Sequence, residues 1–213
     1  MGSPVQDKSE GVQAKTAYHH GDLREALIAA AHQLVNEKGS DQFALADACR
    51  VAGVSTAAPY RHFRDRQDLL GELVARGFQM LKSRMLEAMR PYETGSVESI
   101  TAIGHAYVGL ARDEPALFRM MFSTKPHKKD KGHADGTGGG AFQVLLDEVS
   151  AYLRAHGQER DVIETAVPLW TFVHGAASLL IDRDYEAVAP ETDVEALVNN
   201  ATWGLLQVKE TAG

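Results

Sequence analysis

The chain has 213 residues, of which 44% are hydrophobic, and its formal net charge is −7 at pH 7. These values are typical of a globular protein with a sizeable core, in one large domain or two smaller ones. No apolar run reaches the roughly 18 residues of a membrane span, and the polar start shows no apolar signal-peptide region. The single cysteine, Cys49, excludes an internal disulfide framework. We therefore expect a cytoplasmic protein with no membrane partner.

The acidic charge is unevenly distributed along the chain. Residues 1–66 hold eight basic and eight acidic side chains, whereas residues 67–213 hold 14 and 21. Between Arg50 and Arg66 there are four arginines and one acid, a local balance of +3. Binding to phosphates depends on such a local patch more than on the whole-chain sum. The N-terminal part is thus compatible with nucleic-acid binding, while the acidic remainder should weaken non-specific binding.

In chain order, residues 1–17 mix small, polar and charged types without a period, which predicts a flexible tail. Apolar residues then recur at helical spacing, with Asp22 as the predicted N-cap and Gly39 at the end of the helix. The other helices predicted in this half of the chain lie at about 45–52, 56–62 and 66–89.

The second half of the chain is predicted to be helical except for one loop. Ser96 is the predicted cap of a helix that ends near Asp113, and Pro115 starts a short helix after it. Residues 123–140 hold four lysines, two histidines and five glycines, a composition typical of a mobile loop. Three further helices are predicted at 142–156, about 160–182 and about 193–208. No alternating strand pattern occurs, so the predicted fold is all-α with about nine helices.

Two of these helical segments meet at Gly53-Val54-Ser55. Gly53 suits a backbone position of positive φ, and Ser55 can cap the next helix through its side-chain oxygen. Two helices joined by such a turn form a helix-turn-helix, whose second helix can lie in the major groove of DNA. Pro59 would be the fourth residue of that second helix. Its missing N–H predicts a distorted or 3₁₀-like first turn.

The order and spacing of these motifs resemble the tetracycline-repressor (TetR) family. The matching segments are Tyr18–Arg24, Ala52–Ser55, Tyr60–Phe63 and Asp68–Leu70. Leu169–Gly175 resembles a C-terminal domain type named after its Trp-His-Gly signature. The resemblance implies a helix-turn-helix DNA-binding domain at 18–66 and a ligand-binding and dimerisation domain at 67–213. It further implies a homodimeric repressor on a palindromic double-stranded DNA operator, released by a small-molecule effector.

The chain departs from the family pattern on the first helix of the motif. Ala44 stands where Ser or Thr is common, and Ala46 and Val51 stand at positions that are often basic. A capping hydroxyl replaced by Ala typically costs about 1 kcal/mol. We expect fewer phosphate contacts from this helix and a shallower salt dependence of operator binding than in relatives.

The predicted DNA-binding residues lie on or beside the helix-turn-helix. Thr56 and Ala57 can contact base edges, and Arg61 can reach a guanine or a phosphate. Tyr60 can donate to a phosphate oxygen, and Arg66 can add a phosphate contact at the start of the long helix. The full set is Ser55, Thr56, Ala57, Tyr60, Arg61, His62, Arg66, Arg50 and His20. The alternative is that these are ordinary exposed side chains.

A ligand pocket is a weaker prediction, drawn from large side chains on the C-terminal helices. Trp170 and His174 lie four residues apart, so they meet on one helix face. They suit a pocket wall with one polar group, or else a hydrogen-bonded core or dimer-interface histidine. Methionines fit adaptable cavities, although a stripe of this kind also forms plain core. The predicted pocket residues are Phe78, Met85, Tyr107, Phe118, Met121, Phe142, Trp170 and His174.

Dimerisation is predicted through the last two helices, at about 160–182 and 193–208, whose apolar stripes suit a four-helix seam. No catalytic triad, metal-ligand cluster or phosphate-binding loop occurs, so no catalytic residue, metal or cofactor is predicted beyond the effector. Two alternatives remain open: a helical interaction module that has lost DNA binding, and an enzyme acting on small molecules.

Overall fold

The computed structural model describes residues 20–39, 42–123 and 139–207. Within these ranges the chain is all-α, as predicted, with nine α-helices, one short 3₁₀ turn and no strand. The helices are α1 (His20–Lys38), α2 (Leu45–Val51), α3 (Arg66–Met89), α4 (Val97–Asp113), α5 (Pro115–Ser123), α6 (Gly139–Ala155), α7 (Val162–Ile181), α8 (Asp184–Val188) and α9 (Val194–Leu206). The 3₁₀ turn spans Pro59–Arg61, between α2 and α3.

Helix ends follow the local chemistry in most places. Ser96 caps α4 by accepting the Ser99 N–H, and Asp161 and Asp193 cap α7 and α9 through their carboxylates. Gly39 follows α1 with a φ of +83°, the left-handed conformation that ends helices. The predicted ends of these helices are therefore confirmed to within a few residues.

Several sequence-based boundaries were wrong. Helix α1 begins at His20, so Asp22 lies inside it and cannot be its N-cap. The segment predicted as an α-helix at 56–62 contains only the 3₁₀ turn, and α8 was not predicted. The predicted loop 123–140 is too long, because Ser123 belongs to α5 and residues 139–140 belong to α6. Its remainder, 124–138, and the predicted tail 1–17 lie outside the described residues.

The helices form one continuous core around α3 and α4. α3 packs against α1, α4, α5 and α6, and α4 packs against α7 and α9. α5 contacts both α1 and α3, so it lies between the N-terminal helices and the rest of the protein. The core includes Leu69 and Leu81 of α3, Leu110 of α4 and Phe118 of α5, all almost fully buried. None of the described helices is long and apolar enough to cross a bilayer.

A buried carboxylate fixes the connection between α3 and α4. Glu148 of α6 accepts the Gly95 N–H at 2.6 Å and the Ser99 hydroxyl. Gly95 has a φ of +75°, and a Cβ there would lie 2.6 Å from the backbone carbon of Ala151. Only glycine fits this close approach, so α6 holds the start of α4 through both backbone contact and hydrogen bonds.

Candidate nucleic-acid interface and aromatic cluster

The helix-turn-helix begins with a short α2 that is buried on one side. Leu45, Ala48 and Cys49 form its inner face. After the helix, Gly53 takes a φ of +68°, as the sequence predicts, and the Val54 N–H donates to the Cys49 carbonyl at 2.9 Å. Burial raises the pKa of the Cys49 thiol, which favours an inert core cysteine. The turn thus sets the direction in which the chain leaves α2.

The start of α2 has one of the two hydrogen bonds of a capping box, the one from the N-cap N–H to the side chain three residues later. Ala44 has no side-chain acceptor, but its N–H donates to the Asp47 carboxylate at 2.8 Å. This hydrogen bond, against a smaller opposing effect of burial, holds the pKa of Asp47 below its ordinary value. Arg50 pairs with the same carboxylate at 2.9 Å and stays largely exposed. Arg50 therefore remains available at the surface, whereas Asp47 is occupied by the helix start.

The second half of the motif is tight because of Pro59. The Ala58 N–H donates to the Ser55 carbonyl at 3.0 Å, and the His62 N–H donates to the Pro59 carbonyl at 2.8 Å. The 3₁₀-like geometry predicted from Pro59 is confirmed, but the N-cap residue of the turn is Ala58 rather than Ser55. Pro59 and Phe63 are buried, which anchors the segment to the core.

The side chains that this segment turns outward lie close together in sequence. Ser55, Thr56, Ala57, Tyr60 and Arg61 are exposed, and 66% of the Tyr60 surface is accessible. His62 is half-buried beside them. The backbone of His20 begins α1, but its side chain lies outside the described residues. Hydroxyl, methyl, phenol and guanidinium groups thus share one small surface.

Arg66 lies differently from the other predicted contact residues. Its guanidinium lies over the Phe43 ring, 4.9 Å from the ring centroid. Its Nε and Nη2 atoms are buried, with no hydrogen-bond partner among the described residues. Nearby, Asp65 caps α3 by accepting the Asp68 N–H. Arg66 thus packs the start of α3 against the N-terminal core, which leaves less of it available for a ligand.

Ion pairs join α1 to α3. Arg76 donates to both carboxylate oxygens of Glu25 at 2.6 Å, and Arg24 pairs with Glu72 at 2.7 Å. The Arg76 hydrogen bond holds the pKa of Glu25 below its ordinary value. A bidentate pair also fixes geometry, so the position of α1 on α3 is well defined.

Further along the chain, five rings from α3, α4, α5 and α7 form an aromatic cluster. Its members are Phe78, Tyr107, Phe118, Phe122 and His174, with ring centroids between 4.7 and 6.1 Å apart in the contacting pairs. The Tyr107 hydroxyl and His174 Nδ1 are 2.8 Å apart. Burial raises the pKa of Tyr107 and lowers that of His174, so both groups are neutral near pH 7.

The structure brings most of the predicted pocket residues together. Phe78, Tyr107, Phe118 and His174 belong to the cluster, and Trp170 extends it, 5.7 Å from His174 and 5.9 Å from Phe142. Met121 instead packs on α3, where a Cβ at Gly77 would lie 2.6 Å from its sulfur. Met85 is buried on α3.

A second surface of interest runs along α7 and α9. Ile163, Val167 and Trp170 of α7 and Trp203 of α9 are exposed although they are large and apolar. Residues 165–181 and 196–207 contain no Asp, Glu, Lys or Arg. A helix face with exposed tryptophans and no charge is typical of a protein–protein interface.

Comparison with known proteins agrees with this architecture. The family described as "Bacterial regulatory proteins, tetR family" matches residues 27–73, and a "Tetracyclin repressor-like, C-terminal domain" matches residues 100–202. These matches take in the helix-turn-helix and four of the five rings of the aromatic cluster, while Phe78 lies between the two matched segments. The chain belongs to the TetR family of bacterial regulatory proteins.

Individual relatives are similar over different parts of the chain. The transcriptional repressor BepR of Brucella suis biovar 1 (strain 1330) is 33% identical over 76 residues, which is 36% of this chain and 36% of BepR. The match therefore spans about a third of that repressor's length. A Rhodococcus sp. RHA1 protein of unknown function has a TM-score of 0.77 at 28% identity, covering 90% of this chain and 97% of the other.

A second similar structure is the transcriptional regulator FadR from Bacillus subtilis, solved in complex with stearoyl-CoA. Its TM-score is 0.65 at 16% identity, covering 86% of this chain and 97% of FadR. At that identity the similarity is one of fold.

Proposed function

We propose that this TetR-family chain is a homodimeric repressor that binds a palindromic operator and is released by a small-molecule effector. The observation that carries the proposal is the exposed surface from Ser55 to Arg61, held by the buried Pro59 and Phe63 and directed by the Gly53 turn. Such a segment suits the major groove, since phosphate contacts fix its register and base contacts give sequence preference.

The proposed roles follow from the side chains at this surface. Thr56 and Ala57 contact base edges, and Ser55, Tyr60 and Arg61 bind phosphate or a guanine edge. Arg50, His62 and His20 add phosphate contacts at the border. Arg66, whose guanidinium is half-buried on Phe43, contributes through its position at the start of α3. We name residues 18–66 the DNA-binding head and residues 67–213 the body.

Dimerisation through α7 and α9 would cover the uncharged face with its exposed tryptophans. Gly175 and Gly204 have open space where a Cβ would lie, which allows close approach of another helix. A self-complementary apolar face suits a second copy of the chain, because no partner charge is needed to neutralise it. Two heads would then lie about 34–36 Å apart, one turn of DNA.

An effector site in the body fits the aromatic cluster, whose polar atoms are few and convergent. FadR, which has a similar fold, was solved with stearoyl-CoA bound. For this chain, that similarity supports only a site for some organic ligand and does not indicate stearoyl-CoA itself. α5 carries two rings of the cluster and also contacts α1. A ligand that moves α5 would therefore also change the position of the head.

Selection of duplexes from a random library with the full chain tests this proposal. We expect enrichment of an inverted repeat that the wild-type protein binds at least about a thousandfold more tightly than random DNA. The double change Tyr60→Ala and Arg61→Ala should weaken binding to this repeat at least about tenfold. Tyr92→Ala, which removes another exposed tyrosine beyond the C-terminal end of α3, should not. A folded wild-type protein without any duplex preference would support the alternative of an interaction module that has lost DNA binding.

A further inference from the structure

Phe122 occupies an unusual position for an exposed residue. It lies in the last turn of α5, and 38% of its surface is accessible. Its ring nevertheless contacts four others, with centroids 4.7 Å from His174, 4.9 Å from Phe118, 5.5 Å from Phe78 and 6.1 Å from Tyr107. The other four rings of the cluster are thus arranged around Phe122, which lies at a helix end. A change of its side-chain rotamer can move the Phe122 ring out of the cluster.

One hydrogen bond in the cluster joins Tyr107 and His174. The Tyr107 hydroxyl is buried and keeps its proton, and it lies 2.8 Å from Nδ1 of His174. An imidazole that accepts at Nδ1 and is neutral must carry its proton on Nε2. With Tyr107 as the donor, His174 would carry an N–H at Nε2, on the ring that contacts Phe122 and Trp170.

We propose that Tyr107 donates to His174 Nδ1 and so leaves a proton on Nε2. The effector is then a planar aromatic molecule that takes the place of the Phe122 ring and whose hydrogen-bond acceptor binds His174 Nε2. This inference rests on the proposed function in that the site lies in the body of an effector-responsive regulator. An aromatic ring replaces an aromatic ring, so the surrounding rings keep their edge-to-face contacts. A ligand that offers only an N–H donor at that position would face the Nε2–H of His174 without forming a hydrogen bond, so it would bind more weakly.

Two bicyclic probes of similar size separate these requirements. Quinoline carries a ring acceptor and no N–H, whereas indole carries an N–H donor. In calorimetry with the full chain, we expect quinoline to bind about tenfold more tightly than indole. Phe122→Ala should raise the quinoline affinity about tenfold, because the competing ring is gone. Leu86→Ala, which trims another exposed apolar residue on α3, should leave both affinities unchanged.

Variants of the polar pair test the direction of the hydrogen bond. His174→Phe should remove the preference for quinoline while keeping the aromatic wall. Nitrogen NMR of histidine-labelled wild-type protein should show His174 protonated at Nε2 only, and Tyr107→Phe should allow both tautomers. This measurement needs no ligand and does not depend on how well Phe122→Ala folds.

Three results would overturn the inference: equal affinity for the two probes, no binding of quinoline to wild type or Phe122→Ala, or a His174 proton on Nδ1. Duplex selection with the same samples separates this inference from the proposed function. A protein that prefers an inverted repeat but ignores quinoline overturns only the effector class. One that binds quinoline but shows no duplex preference overturns only the proposed repressor.

Discussion

His32 on α1 and Glu114 between α4 and α5 form a hydrogen-bonded pair, with Nε2 and Oε2 2.9 Å apart. Both side chains are only partly exposed, and they lie 82 residues apart in sequence. Glu114 also accepts the Phe118 N–H through its backbone carbonyl, one turn before the ring of Phe118 joins the aromatic cluster. A single residue therefore contacts the proposed head through its side chain and the helix of the cluster through its backbone.

This pair should contribute measurably to the packing of α1 on the body. A double-mutant cycle of His32→Ala and Glu114→Ala should give a coupling free energy of unfolding of about 0.5–1 kcal/mol. The matched control is Arg90–Glu87, a pair 3.4 Å apart with both side chains about three-quarters exposed. Its coupling should lie near zero. Equal coupling in the two cycles would mean that partial burial adds nothing to the His32–Glu114 contact.

His174 should make stability depend on pH. Burial lowers its pKa below the ordinary value near 6.5. As pH falls through the interval between the ordinary and the lowered value, the unfolded chain binds more protons than the native protein, so stability declines. The contribution of the neutral His174 side chain to the free energy of unfolding is fully present above the ordinary pKa. The difference in unfolding free energy between wild type and His174→Phe, followed by urea titration from neutral to acid pH, should therefore shrink as pH falls. Parallel curves would contradict this.

Tyr60 and Thr56 should differ in what they control. Tyr60→Phe removes only a hydroxyl, and we expect it to weaken binding to all duplexes alike by about 1 kcal/mol, because phosphate contacts carry no sequence information. Thr56→Val should instead change the preferred base at one position of each half-site. Competition binding against a panel of single-base operator variants measures both effects. A base-specific effect of Tyr60→Phe would reverse these roles.

The start of α2 can be improved towards the family pattern. Ala44→Ser supplies the missing side-chain acceptor and should raise the free energy of unfolding by about 1 kcal/mol. Ala46→Arg adds a cation on an exposed position and should steepen the slope of log affinity for the operator against log salt by about 0.9. Ala46→Gln, similar in shape but uncharged, is the control for the salt slope. An unchanged slope with Ala46→Arg would place this position away from the phosphates.

A charge on the uncharged face should break the proposed dimer. Trp203 is 46% exposed on α9. Trp203→Lys should raise the dissociation constant of the dimer at least about tenfold. In sedimentation at micromolar concentration, the variant should therefore shift from dimer towards monomer. Val188→Lys places the same charge on α8, outside α7 and α9, where the residue is 86% exposed. It should leave the oligomeric state unchanged. Equal behaviour of both variants, or a strictly monomeric wild type, would refute the interface.

Local signals in the sequence identified much of the fold. Ser96, Gly39 and Gly53 act within one helical turn of their own positions, so their roles can be predicted without tertiary information. Pro59 likewise predicts the tight second half of the motif, since its ring removes a hydrogen bond wherever the segment lies. Asp22 failed as a predicted cap because α1 already begins at His20.

Long-range relationships could not be predicted in the same way. Nothing near Gly95 in sequence indicates that Glu148, 53 residues away, accepts its N–H. The stacking of Arg66 on Phe43 is equally invisible, because an arginine at a helix start is as compatible with a phosphate as with a ring. The sequence indicates that Tyr107 and His174 lie on apolar helix faces, but their hydrogen bond depends on how α4 and α7 pack.

The central claim is that two copies of the exposed segment from Ser55 to Arg61 read one inverted repeat. Sedimentation of a labelled duplex carrying the selected repeat, beside a duplex with the same base composition in scrambled order, tests it most directly. We expect two protomers on the repeat duplex, bound at least about a thousandfold more tightly than the scrambled one at physiological salt. Equal affinity for both duplexes, even at low ionic strength, would contradict the account.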